Sequence, residues 1–124
     1  MLTKKLNIRL KRAYEPSSAE DGLRVLVDRL WPRGLGKTEV AIDRWLKEVA
    51  PSSELRRWFG HDPRKWDEFR RKYEVELSGH GDLLGELRQA AQEGPLTLVY
   101  SARDQEHNQA VVLRDVLKGT SADK

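Results

Sequence analysis

Asp28-Arg-Leu-Trp-Pro-Arg-Gly34 breaks an apolar run, Val25 to Val27, with a carboxylate, two arginines and an indole in close succession. A strand that only filled a core could end in any turn, so this composition reads as the wall of a site. Asp28 is the candidate catalytic carboxylate, able to act as a general base or to orient an arginine. Arg29 and Arg33 would neutralise an anion, and Trp31 would offer a stacking face to a base or sugar. A second group follows the apolar stretch Leu96-Thr-Leu-Val-Tyr100, namely Ser101, Arg103, His107 and Asn108. A third, Arg12 and Tyr14, follows the first apolar alternation. Ser101 stands where a nucleophile could stand, but Gly-x-Ser-x-Gly is absent, and a hydrogen-bonding role suits it better. His107 could shuttle a proton or contact an anion.

Each residue also has a plainer reading. Asp28 could pair with Arg12 or Arg29 at a half-buried strand end, and Trp31 could be a core lid. Arg33, between proline and glycine, is ill suited to a core and needs an anionic partner. His61 and His80 sit in Gly-His-Asp and Gly-His-Gly, which are turn contexts. Three scattered histidines point to no metal site. Gly34-Leu-Gly36 is too short for a dinucleotide fingerprint, and no phosphate loop of the Walker type occurs, so the sequence carries no metal or organic cofactor motif and leaves the cofactor unknown, with magnesium brought in by a phosphorylated ligand still open.

These groups need elements to bring them together. Leu6 to Tyr14 alternates with Leu6, Ile8 and Leu10 on one face, as a half-buried strand should. Leu23 to Leu30 carries apolar residues on both faces and reads as a central strand closed by Pro32. Ile42, Trp45, Leu46 and Val49 fall at helical spacing ahead of Ala50-Pro51. Ser52 or Ser53 caps a short helix through Leu55, Trp58 and Phe59. Asp62-Pro63 opens a longer one, lined by Trp66, Phe69, Tyr73 and Leu77 and stopped by Gly79. Asp82 opens another that ends at Gly94-Pro95, and a last helix, 105–117, is capped by Asp104 and ended by Gly119.

Strands interleaved with helices predict a single small α/β layered domain, residues 1–119, with a short, mostly parallel sheet flanked by helices and a frayed tail at 120–124. The link 15–22 is short for a parallel crossover, so the first two strands could instead form a long-looped hairpin. If the strands are parallel, all three groups converge at their carboxyl ends, where open α/β sheets bind ligands.

The chain has 124 residues, enough for one core. It lacks the apolar run of a membrane span and the apolar middle of a signal peptide, and zero cysteines exclude disulfides and thiolate chemistry. The expected compartment is the cytosol. Residues 1–37 hold nine Lys/Arg against four Asp/Glu, while the remainder hold fourteen against sixteen. A basic first third favours an anionic partner.

Lys11-Arg12-Ala-Tyr14, Val27 to Gly34, Ala50-Pro-Ser52 with Leu55-Arg56-x-Trp-Phe59, and Leu96 to Asp104 followed by Asn108-x-Ala110 together resemble the YeaO-like proteins, a bacterial and archaeal family known as a domain of unknown function. The resemblance spans nearly the whole chain. It implies a small cytosolic α/β domain with motif residues Arg12, Tyr14, Asp28, Arg29, Trp31, Pro32, Arg33, Gly34, Tyr100, Ser101, Ala102, Arg103 and Asn108 at the strand ends. Longer relatives in the wider superfamily carry Asp-x-Arg-x-x-Pro and Cys-Ala-Glu at these strand ends. Here the cysteine and glutamate are replaced within Tyr100-Ser-Ala-Arg103, so thiol or acid chemistry does not transfer. The same comparison implies a parallel pairing for the first strands and leaves Trp45 to Val49 open to an extended form.

The leading expectation is a small enzyme or ligand-binding domain for an anionic, nucleotide-like compound. Arg29, Arg33 and Arg103 would neutralise it, Trp31 and Tyr14 would stack, and Ser101 and Asn108 would hydrogen-bond its polar part. The alternative is a nucleic-acid-binding accessory protein that uses Lys4, Lys5, Arg9, Lys11 and Arg12. A third reading is an interaction module built on exposed tryptophans.

Overall fold

The computed structural model describes residues 6–119. Four parallel strands form one sheet in the order β1-β4-β2-β3, with β1 at Ile8–Arg12, β2 at Leu23–Leu26, β3 at Arg44–Trp45 and β4 at Leu96–Tyr100. This is a small α/β domain, as the interleaved pattern predicts. β4 holds the centre because all five of its residues are buried and both faces are apolar or satisfied. Ile8 and Leu23 both align with Leu96, so the carboxyl ends of β1, β2 and β4 lie side by side.

β2 is shorter than the expected run to Leu30. Val27 N–H still donates to the Val99 carbonyl at 3.0 Å, and the chain then leaves the sheet at Asp28. The ambiguity of the first connection is resolved as well. β1 and β2 are not neighbours but flank β4, each parallel to it, so the hairpin does not form.

The short link crosses one face of β4 by means of a single 3-10 turn, Ala19–Asp21, with a reciprocal cap between Ser18 and Asp21. Gly22 then passes against Pro95 with φ +64°, and a β-carbon there would lie 2.2 Å from the Pro95 carbonyl oxygen. Gly22→Ala is therefore expected to destabilise by roughly 2–4 kcal/mol in urea unfolding, since both strain and overlap act on backbone that cannot yield. A cost under about 0.5 kcal/mol would mean that the crossover is not tight here.

The two faces of the sheet differ in thickness. Ile8, Val25, Val27, Leu96, Leu98 and Tyr100 face the main core, built with α2 (Ser53–Phe59), α3 (Trp66–Leu77), α4 (Gly81–Glu93) and α5 (Gln109–Lys118). The other face is thin. There Ala13, Leu26, Val40 and Val99 pack with Trp31, Leu35, Ile42 and Trp45 under α1, a single turn at Lys37–Val40.

Buried charge fastens this thin side. Arg24 donates to Asp21 at 2.6 Å, to the Val40 carbonyl at 2.6 Å and to the Ala41 carbonyl at 3.0 Å, while Lys11 reaches Asp21 at 3.1 Å. Thr97 Oγ1 donates to the Asp21 carbonyl at 2.7 Å. Burial alone would raise the Asp21 pKa, but the Ser18 N–H and the Lys11 and Arg24 cations bring it below the ordinary carboxylate value.

Two sequence expectations are corrected. The helical spacing of 42–49 gives way to β3 and a 3-10 turn, Lys47–Val49, because Asp43 N–H and Leu46 N–H are taken by the carbonyls of Arg24 and Leu26. Pairing with a buried strand outweighs local periodicity here. The last helix starts at Gln109, with Asn108 as its cap accepting from Val111 N–H. Asp104 instead accepts from Glu106 N–H and His107 N–H and closes a separate turn. The expected tail at 120–124 lies outside the described residues.

Candidate functional site

A cleft of about 440 Å³ opens at the carboxyl ends of β2 and β4. Parallel strands gather their exits on one side, and the Trp-Pro turn after β2, the N-terminus of α5 and the end of α2 supply the walls. Asp28 and Ser101 form the floor; Trp31, Arg33, Arg56, Arg57 and His61 belong to the walls and rim, with Phe59 behind them.

Asp28 is 7% exposed. Its Oδ2 accepts from the Ser101 backbone N–H at 3.0 Å and from Ser101 Oγ at 2.5 Å, and its Oδ1 accepts from the Gln109 side-chain amide. One carboxylate thus ties the end of β2 to the end of β4 and to the first turn of α5. Burial raises the Asp28 pKa, against the opposing pull of the Ser101 and Gln109 donors and the Arg56 charge. A folded-state value above the unfolded one means that ionisation costs more in the fold, so stability falls as pH rises upward from about 4. The melting-temperature advantage of wild type over Asp28→Asn is accordingly expected to shrink between pH 4 and pH 7. A pH-independent difference would contradict this environment.

The remaining sequence-derived candidates divide into two groups. Arg12 donates to the carbonyls of Ala102 (2.9 Å) and Ser101 (3.3 Å), and Arg29 to those of Pro51 (3.0 Å) and Ala50 (3.3 Å). Both guanidinium groups fasten backbone, and neither pairs with Asp28 within the described residues. Asn108 is buried as a helix cap, its amide also donating to the Asp104 carbonyl at 2.9 Å. Arg103 is exposed and does not line the cleft.

Arg29 and Asn108 nonetheless line the cavity, as do Tyr14, Trp31, Arg33 and His107. Tyr14 is 44% exposed, lies under the Arg12 guanidinium at 5.1 Å and donates to the Arg33 carbonyl at 3.0 Å. Trp31 is half-buried, edge-on to Trp45 at 5.4 Å, with its indole N–H fixed on the Leu35 carbonyl at 2.7 Å. His107 is fixed through Nδ1 to Asp104 at 2.9 Å and stands edge-on to Trp66.

Arg56, Arg57, His61 and Gln109 were missed as site residues by sequence reasoning. Arg56 carried a faint signal, since no acidic residue stands three or four positions from it on α2. Gln109 carried none. Arg33, Arg56 and Arg57 are exposed, and among the described residues no carboxylate lies within ion-pair distance of any of them. The cleft is thus rimmed by cations, while the carboxylate at its floor is fully occupied. No group of three His, Cys, Asp or Glu residues suited to a metal ion occurs among the described residues. No helix among them is long and apolar enough to cross a membrane.

The class defined by these features is a small parallel α/β domain with a basic cleft at its strand ends. Residues 7–124 match the family model described as the inactive DUF488-N3 subclade. The uncharacterized protein YeaO of Escherichia coli K12 is 46% identical over 113 residues, covering 91% of this chain and 98% of that protein. The uncharacterized Mycobacterium tuberculosis protein Rv3073c is 39% identical over 118 residues, covering 95% of this chain and 99% of its own. No solved structure matches. The chain belongs to the YeaO-like DUF488 family, and these relatives are proteins of unknown function.

Proposed function

We propose that this chain binds an anionic, nucleotide-like compound in the cleft at the carboxyl ends of its strands. The observation that carries this reading is the set of rim arginines, Arg33, Arg56 and Arg57, which have no carboxylate partner among the described residues and border a cavity that also presents the Trp31 ring. Guanidinium groups recognise phosphate or carboxylate through paired donors, and the ring supplies a face for a base. Tyr14 and His107 complete the walls.

Binding without turnover is the form that suits the floor. Asp28 is held by the Ser101 N–H and hydroxyl and by the Gln109 amide, which suits a carboxylate that braces the strand ends, and the word inactive in the matching family description agrees with this reading. A cysteine-free chain suits the reducing cytosol, where we place its activity.

The nucleic-acid reading ranks lower. Lys11 and Arg12 in the basic first third are committed to Asp21 and to backbone carbonyls, and Lys4 and Lys5 lie outside the described residues. Tryptophan-mediated docking loses its support as well, since Trp31, Trp45, Trp58 and Trp66 are all partly buried.

A thermal-shift screen of nucleotides, nucleosides, sugar phosphates and short DNA and RNA at low and moderate salt tests the proposal. A salt-tolerant shift by one small-molecule class, lost in Arg33→Ala, is the expected result. Shifts by polynucleotide alone, erased by salt and indifferent to Arg33, would replace the cleft with a basic surface.

A further inference from the structure

Two described non-glycine residues have a left-handed backbone, Ala41 (φ 54°) and His61 (φ 57°). Ala41 has a packing reason. Its N–H closes α1 on the Lys37 carbonyl, and its own carbonyl is held by buried Arg24. His61 differs. Gly60, at φ 54°, already ends α2 by returning its N–H to the Arg56 carbonyl. The next residue is left-handed again, at a position where glycine would avoid the β-carbon cost.

Nothing among the described residues repays that cost through the side chain. His61 is exposed, makes no side-chain hydrogen bond or ion pair with them, and meets the Phe59 ring only at a tilted 6.3 Å. Its ring lies at the cleft rim with Arg33, Arg56 and Arg57. The turn fixes the backbone and leaves the imidazole at the cleft rim without a polar partner among the described residues.

Resting on the cleft reading above, we infer that His61 is held there as a contact for a terminal phosphate monoester, donating an imidazole N–H to a phosphoryl oxygen that the rim arginines neutralise. The charge count selects the monoester. Three rim guanidinium groups against the one Asp28 carboxylate leave an excess of two positive charges, which a monoester near neutral pH, with almost two negative charges, balances better than a diester with one. The site is therefore specific for the end of a nucleotide or sugar phosphate and disfavours a polynucleotide backbone.

The test is calorimetry on wild type, His61→Gly and Arg33→Ala with adenosine 5′-monophosphate, its 3′,5′-cyclic diester, ribose 5-phosphate and adenosine. Adenosine 5′-monophosphate is expected to bind at least about tenfold more tightly than the cyclic diester. His61→Gly is expected to melt no lower than wild type, because glycine relieves the strain, and yet to bind the monoesters about tenfold more weakly. Equal affinity for monoester and diester overturns the inference, as does monoester affinity unchanged in His61→Gly. If Arg33→Ala weakens binding while His61→Gly does not, only the role of His61 fails. If no monoester binds, or neither substitution matters, the cleft reading fails with it.

Discussion

Arg24→Ala is expected to cost roughly 3–5 kcal/mol of folding stability, the largest effect of any single substitution considered for this chain. Arg24 is 3% exposed and Asp21 is 4% exposed, so their 2.6 Å contact is shielded from water. Truncation leaves the Asp21 carboxylate with Lys11 as its one cation and the Ser18 N–H as its other donor, and strips the Val40 and Ala41 carbonyls of theirs. The loss would loosen both the β1–β2 crossover and α1, the two segments that cover the thin face of the sheet. Urea unfolding of Arg24→Ala measures it. An apolar pair, Arg24→Met with Asp21→Leu, should recover much of the loss, because a buried ion pair often replaces well by matched hydrophobes even though breaking it is expensive.

The acid side gives an independent check on the same pair. A depressed Asp21 pKa contributes stability that is present above the unfolded value of about 4 and disappears as pH falls through the folded value. Asp21 and Asp28 therefore pull in opposite directions along the pH axis. A stability loss under about 1 kcal/mol in Arg24→Ala would show that water reaches this network.

Arg33→Ala combined with Arg57→Ala is expected to reduce affinity for the bound anion by about a hundredfold or more, since each charge-assisted contact to phosphate is worth roughly 1.5–3 kcal/mol. Stability should change little, within about 0.5 kcal/mol, because both side chains are exposed and make no hydrogen bond to described residues. The Arg33 carbonyl that receives the Tyr14 hydroxyl is retained in the alanine variant. Calorimetry with the ligand class found in the screen, paired with thermal melts, separates the two effects. Equal affinity in the double variant would remove the arginine rim from the account.

The parts of the fold legible in the sequence are those whose signal is local. Leu96-Thr-Leu-Val-Tyr100 declares a strand, the apolar run Val25 to Val27 declares a central one, and Asp62-Pro63 opens the 3-10 turn Pro63–Lys65 that leads into α3, because caps and breakers act on adjacent backbone. β3 was illegible because two residues become a strand only when β2 offers its carbonyls. Asp104 and Asn108 are equally good caps by chemistry, and only the turn at 104–107 decides between them.

The site was half legible for a related reason. Asp28 and Ser101 stood out because polar residues interrupt apolar runs, and the parallel sheet does bring them together. A guanidinium aimed at a backbone carbonyl, however, looks in sequence like one aimed at a ligand. Arg12 and Arg29 turned out to be the former. Arg56 and Arg57 entered the cleft from α2, whose docking is set by the burial of Leu55 and of Phe59, which itself lines the cleft.

The central claim is that one basic cleft binds one class of small anion, and an amide NMR titration with the best compound from the screen tests it most directly. The expected result is saturable movement of the Ser101 and Asp28 amides, the Gln109 side-chain amide and the Trp31 indole N–H, with Arg9 and Lys11 on β1, which do not line the cleft, unmoved. Movement centred on Arg9 and Lys11, with the cleft signals still, would contradict it.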